Sequence, residues 1–245
     1  MEDAAAPRMG DAPLLDVRGL AKHFGDAKVL DDIGFDLQAG EILGVIGPNG
    51  AGKTTLMECL AGLLPSDGGK VSFQGSSLPA RRRREALFYL PDGIAPWGDQ
   101  CARRVVSLFR DMHGLPPERE ALAVSRLELH PVLDRHVAEL SKGYRKRLLL
   151  ALALLTPQPI LVLDEPFDGF DLRQTLGVMD LLRETARERA LILSIHQLRD
   201  AERVCDRLLL LDAGHRIGFG TLRELSSQAG VTGDDLEEVF LGLTR

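Results

Sequence analysis

Ile42-Leu43-Gly44-Val45-Ile46-Gly47-Pro48-Asn49-Gly50-Ala51-Gly52-Lys53-Thr54-Thr55-Leu56-Met57 decides how the rest of the chain is read. An apolar run, a glycine-rich turn and a second apolar-periodic run make a strand, a loop and the start of a helix. That is the setting a phosphate-binding loop requires. Glycines turn the backbone tightly and aim successive N–H groups at one anion, and the helix N-terminus behind them adds partial positive charge. Gly47, Pro48, Asn49, Gly50, Ala51, Gly52 and Thr55 then form the cradle, Lys53 reaches the outer phosphates, and the Thr54 hydroxyl falls to the magnesium ion that accompanies them.

Composition narrows that reading. At 245 residues there is room for one large α/β domain with a substantial core. A formal net charge of -6 gives no electrostatic footprint for nucleic acid, so none is expected as a partner. The cysteines, Cys59, Cys101 and Cys205, are too few and too scattered for a disulfide framework or a metal site, and they read as reduced thiols. Residues 1–12, rich in Ala, Pro, Gly and acids, read as a flexible tail ahead of one domain over 13–245, and not as a signal peptide or an anchor. The most apolar stretch, 148–163, is split by Thr156-Pro157-Gln158-Pro159, and neither piece approaches the ~20 residues that span a bilayer. The chain is expected to be soluble on its own, with any membrane role arriving through a partner.

Outward from the loop, residues 14–17 and 33–37 alternate as half-buried strands do, with Asp31-Asp32 as an acidic turn before the second. Residues 54–64 read as a helix closed by Pro65. Residues 70–74 and 86–90 read as short strands, separated by Arg81-Arg82-Arg83-Arg84, a run whose ordinary meaning is a solvated, charged connection. The pattern then turns helical over 101–112, 117–129 and 141–155, which predicts a helical subdomain over about 97–158 inserted into the α/β core.

Ile160-Leu161-Val162-Leu163 is a continuous apolar run typical of a parallel strand buried on both faces, and it ends in Asp164-Glu165-Pro166. Acids directly after such a strand lie at the carboxyl edge of the sheet, where open α/β folds bind ligands. Asp164 can hold magnesium through water, and Glu165 can orient or deprotonate the attacking water. His196 follows a second buried strand, 190–195, and stands at the same edge, in reach of a terminal phosphate or the water beside it.

These motifs resemble the ATP-binding cassette ATPases, specifically the nucleotide-binding subunit of ABC transporters. Leu140-Ser141-Lys142-Gly143-Tyr144, which begins 24 residues before Asp164 at the head of a helix, looks like the family signature. Asp171 resembles the aspartate of the loop after the second nucleotide motif, and His196 the switch histidine. Phe24 stands at the aromatic position on which adenine stacks, where the family more often has tyrosine. The resemblance runs from residue 14 to residue 240. It implies a P-loop NTPase fold of the ABC type, an α/β mixed sheet core with an N-terminal antiparallel β part and the helical insertion. It also implies ATP and Mg2+ as cofactors and ATP hydrolysis as the activity. The partner would be a second copy of the chain or a paralogous ATPase subunit, paired head to tail around two ATP molecules. Ser141 and Gly143 would then contact the γ-phosphate held by the partner subunit's Lys53.

Two departures carry consequences. The signature has Lys142 and Tyr144 where Gly and Gln are commonest. This variant, together with the ending Leu236-Glu237-Glu238-Val239-Phe240, is similar to exporter-type ATPases with a separate transmembrane permease. Export is therefore the expected direction, with the chain in the cytoplasm, peripheral on the membrane through that permease. The second departure is Asp92, where the family usually has a glutamine that touches magnesium and the attacking water. Its carboxylate could coordinate the metal or hold the water. Two other readings compete: a soluble ABC-type ATPase acting on DNA or ribosomes, and a non-hydrolysing ATP-dependent regulator. Only 86 residues separate Lys53 from Leu140, too few for the long coiled-coil insertion usual in the former. Glu165 and His196 argue against the latter.

Overall fold

The first two strands run longer than their apolar alternation suggests. In the computed structural model, which describes residues 12–231, 233 and 235–244, β1 (Leu15–Phe24) and β2 (Ala27–Leu37) form an antiparallel hairpin that turns at Gly25 and Asp26. Asp31-Asp32, expected as a turn, lies inside β2. Asp32 takes a φ of 53° at an irregularity in the ladder. That kink lets Leu30 and Ile33 both face the core, so the acidic pair interrupts the alternation without ending the strand. The tail expected over 1–12 lies, but for residue 12, outside the described residues.

β3 (Ile42–Ile46) leads through the glycine loop into α1 (Lys53–Ala61), and β4 (Gly68–Phe73) and β5 (Ser76–Ser77) return to the first sheet. α1 stops short of Pro65 because Gly62 takes a left-handed φ of 75° and its N–H turns back onto the last helical carbonyls. A short α2 (Arg83–Ala86) precedes β6 (Leu87–Leu90). Within the arginine run, Arg83 departs from the solvated reading: it is buried and donates to the carbonyls of Leu78 and Cys59, closing the end of α1. Next come α3 (Ala102–Met112), α4 (Pro117–Arg126) and α5 (Lys142–Leu154), then β7 (Ile160–Leu163), α6 (Leu172–Ala186), β8 (Ala190–Ser194), α7 (Leu198–Val204), β9 (Arg207–Asp212), β10 (His215–Gly220), α8 (Leu222–Ala229) and α9 (Leu236–Leu243).

Two sheets result. The antiparallel one has the order β2-β1-β4-β5, and the larger one the order β10-β9-β3-β8-β7-β6, parallel except for β10 on β9. Period-two alternation divides the central strands between two cores. Leu43, Val45, Ile160, Val162, Ile192 and Leu209 pack toward the antiparallel sheet and α1. Ile42, Ile46, Leu161, Leu163, Leu191 and Leu208 pack toward α3, α5 and α6. A sheet covered on both faces reads as continuous apolar sequence, which is why β7 and β8 were legible as buried parallel strands. The sheets are also tied by charge: Arg207 of β9 holds Asp36 of β2 through two nitrogen–oxygen contacts of 3.0 Å and stacks 4.2 Å from the Phe219 ring centroid. No helix of the described residues is long and apolar enough to cross a membrane.

Candidate functional site

The strand order delivers the ends of β3, β7 and β8 side by side at one edge of the sheet. At β3 the chain turns into the glycine loop under tight constraint. A Cβ on Gly47 would lie 2.3 Å from the Leu211 carbonyl oxygen, and Gly52, at φ 100°, has the Val29 carbonyl oxygen 2.8 Å from where a Cβ would stand. Side chains at either position would push the loop off β9 or off β2. Gly52 caps α1 without a side-chain acceptor, so the first helical N–H groups are left to the loop's concavity. Lys53 is buried along its stem and bends back, donating from Nζ to the carbonyls of Gly47 at 2.6 Å and Pro48 at 3.2 Å. Burial lowers its pKa, opposed by the carboxylates of Glu165 and Asp164, which places all three groups in one field.

Asp164 is the hub. Its Oδ2 accepts from the Thr54 hydroxyl at 3.1 Å and the Tyr89 hydroxyl at 3.4 Å, and its Oδ1 from the Ser194 hydroxyl. Thr54 and Asp164 thus present two hard oxygens within reach of one small cation that keeps its waters, and among the described residues no group of three or more His, Cys, Asp or Glu forms an all-protein cage. That donor set fits magnesium held mainly by a substrate's phosphates. The metal would supply positive charge at the phosphate oxygens.

Glu165 sits at a left-handed φ of 50°, its N–H donating to Ser194 Oγ at 2.9 Å and its Oε1 2.9 Å from His196 Nε2. Its carboxylate lies between Ser194 Oγ, 3.2 Å from Oε1, and half-exposed His196, which orients it. Burial raises the Glu165 pKa, with the nearby Asp164 carboxylate adding to the rise and His196 opposing it. A carboxylate so placed is a better proton acceptor than an exposed one. Lys53, Thr54, Asp164, Glu165 and His196 are therefore one constellation, as their sequence motifs require.

Other sequence-predicted residues stand elsewhere. Ser141 caps α5, accepting from Tyr144 N at 3.3 Å, and Gly143 lies beside Gly169 and Phe170. Lys142 pairs with Asp168 at 2.7 Å, and Asp171 caps α6 through Gln174 N at 2.9 Å. The signature and the loop before α6 thus form a second cluster. Among the described residues no hydrogen bond joins Ser141 or Gly143 to residues 47–55. Phe24 ends β1 with its ring exposed under Lys22 Nζ, 5.4 Å from the centroid. The Asp92 carboxylate is engaged by Lys146 Nζ at 2.9 Å, so it would have to exchange that partner to reach a metal. Partial burial works against its ionisation, but the Lys146 hydrogen bond and charge prevail and hold its carboxyl below the usual range.

Sequence reasoning missed Ser194, Tyr89 and Lys146. Ser194 and Tyr89 occupy or adjoin the carboxyl ends of β8 and β6, so the argument that singled out Asp164 would have reached them had it been applied to every strand.

A sequence profile described as ABC transporter matches residues 30–168. An uncharacterised ABC transporter ATP-binding protein of Methanocaldococcus jannaschii is 33% identical over 218 residues, 87% of this chain and 79% of the relative. A Nod factor export ATP-binding protein I of Burkholderia lata is 35% identical over 235 residues, 92% of this chain and 76% of the relative. Among solved structures, the ATP-binding subunit of an ABC transporter superposes with a TM-score of 0.86 at 29% identity, covering 95% of this chain and all 100% of that one. A bacterial Atm1-family ABC exporter with ATP bound shares the fold, with a TM-score of 0.80 at 22% identity over 93% of this chain and 41% of that one.

Proposed function

The chain belongs to the ABC transporter family of ATP-binding proteins, whose members hydrolyse ATP, and from that premise we propose that it drives a separate membrane-spanning permease, with export as the direction. Two copies, or this chain and a paralogous ATPase subunit, close head to tail around two ATP molecules, each with Mg2+. One observation carries the pairing. The chain has two helix N-termini of the kind that bind anions, the loop before α1 and the Ser141-capped start of α5, and among the described residues the second is tied to the loop at 168–171 and not to its own glycine loop. Each copy therefore offers half of two different sites, and a second copy completes them. Lys53 holds the outer phosphates, Thr54 and Asp164 the metal side, and Phe24 the adenine face. Glu165, steered by His196, takes the proton of the attacking water. Ser141 and Gly143 close over the γ-phosphate from the other copy, and Asp171 lines that junction.

Support for the permease comes from the surface. A groove of about 300 Å³ between the loop after β6 and helices α3 and α5 is lined by apolar groups such as Phe88, Ile94, Phe109 and Leu149, and Trp97 at its rim is 65% exposed. An exposed apolar groove of that kind is a surface for a protein partner. Export rests on the names of relatives such as the Burkholderia lata protein and on the signature variant.

The test mixes subunits. Ser141→Arg and Lys53→Ala chains are each expected to be inactive alone, and their mixture to regain hydrolysis because one of the two composite sites is then intact. Mixed dimers that demonstrably form yet neither hydrolyse nor occlude ATP would refute the head-to-tail arrangement.

A further inference from the structure

Lys146, between Arg145 and Arg147 and just before the apolar run of α5, is a cation with its side chain only 8% exposed. An ammonium taken out of water needs acceptors around it. Two are present: Asp92 Oδ1 at 2.9 Å, from the loop after β6, and the Asp164 carbonyl oxygen at 3.4 Å, at the end of β7. Lys146 stands in the second turn of the helix that Ser141 caps. One nitrogen therefore joins the end of β7, the loop leaving β6 and the helix that carries the signature.

We propose that Lys146 is a positioning residue for ATP turnover, its ammonium locking the Asp92 loop and the start of α5 to the backbone of Asp164. The proposal rests on the ATP-hydrolysing reading of the site and adds a residue outside the nucleotide motifs to it. The side chain of Asp164 is already fixed by hydroxyls from Thr54, Tyr89 and Ser194. What those bonds leave open is where that strand end stands relative to α5, and the Lys146 bridge sets it. Stability does not account for the arrangement, because an unbranched apolar side chain of similar length fills the same buried space without a charge to desolvate. Asp92 is the matching half. Its carboxylate is spent on Lys146, so in this chain the loop after β6 is coupled to α5 by an ion pair.

The test is a double-mutant cycle on the full chain, with Lys146→Met, Asp92→Asn and the double variant, reading kcat and KM for MgATP together with the melting temperature. Asp92→Asn alters a side chain that is 46% exposed, so it keeps the cycle informative even if Lys146→Met folds poorly. Each single variant is expected to lower kcat about tenfold to a hundredfold, the scale of a small misplacement of reacting groups. KM should stay within about twofold, since nucleotide binding lies with other residues. The double variant should be no slower than the worse single, because both remove the same link. Single variants whose kcat stays within about twofold of the parent, a loss expressed in KM alone, or single effects that multiply in the double each overturn the proposal. Turnover of the parent chain reads the ATPase function, whereas the ratio of variant to parent reads Lys146, so the two failures are told apart.

Discussion

Replacing Ser194 by alanine removes one buried oxygen that serves two acids. In the folded chain Ser194 Oγ accepts from the Glu165 N–H at 2.9 Å and offers its single proton to Asp164 Oδ1, with Glu165 Oε1 at 3.2 Å as the alternative acceptor. Ser194→Ala leaves the part-buried Glu165 N–H without that partner, a loss of about 1–3 kcal/mol. It also removes a tether that holds Glu165 in a left-handed backbone conformation, a strain of about 1–2 kcal/mol that the folded parent already bears, so the turn is free to relax in the variant. Only an oxygen's volume is vacated, so the cavity contribution is small. The destabilisation is therefore about 1–3 kcal/mol, or a melting temperature lower by about 2–12 °C for a chain of this size. Turnover should fall as well, by about tenfold to a hundredfold, because the Glu165 carboxylate is no longer held between Ser194 and His196. Thermal melting and MgATP hydrolysis read the two effects separately. A variant that melts within about 1 °C of the parent and turns over within about twofold of it would refute the assignment of Ser194 as the brace of the acid pair.

Two further outcomes are expected. Glu165→Gln keeps ATP binding but loses the proton acceptor, so hydrolysis should fall by about 10²–10⁴ and the closed dimer should accumulate with ATP, visible by gel filtration; parent-like turnover would remove Glu165 from that role. At the seam between the sheets, the Arg207 hydrogen bond holds the Asp36 carboxyl below its ordinary value of 3.8, so this pair stabilises the fold above that pH and stops doing so as acid protonates Asp36 through its lowered value. Asp36→Asn should thus cost about 1 kcal/mol near neutrality, a modest figure because the pair is partly solvated, and nothing once Asp36 is protonated; denaturant melts whose difference persists in acid would contradict the role of the pair.

The nucleotide site was legible where its chemistry is contiguous. The glycine loop needs a strand before it and a helix after it, and all three are neighbours in sequence; Asp164 and Glu165 announce themselves by following four buried apolar residues. What the sequence hid are contacts between distant positions made by common residue types. Ser194 meets Asp164 across 30 residues and Tyr89 meets it across 75, and neither residue type has a spacing that signals a contact. Lys146 was illegible for another reason: a lysine between arginines on a helix reads as a solvated face, and only its contacts with the loop after β6 and the end of β7 show that this one is enclosed. Arg83 escaped in the same way within a run of four. Asp31-Asp32 was misread because an acidic pair breaks alternation just as a turn does, and the positive φ of Asp32, which keeps the strand going, leaves no mark in the sequence.

The length of α5 has a mechanical consequence. The helix has 13 residues, with its middle and far end buried among the strands and helices of the larger core and its first turn only partly packed, through Tyr144, at the exposed Ser141 end. A rod of that size is about 20 Å long. Pivoting it by about 10° about the buried end carries Ser141 through about 3–4 Å, more than the length of a hydrogen bond. The Ser141 end of α5 is therefore the tip of a lever, and the Lys146 bridge, about 7 Å back along the helix, is the contact that resists such a tilt.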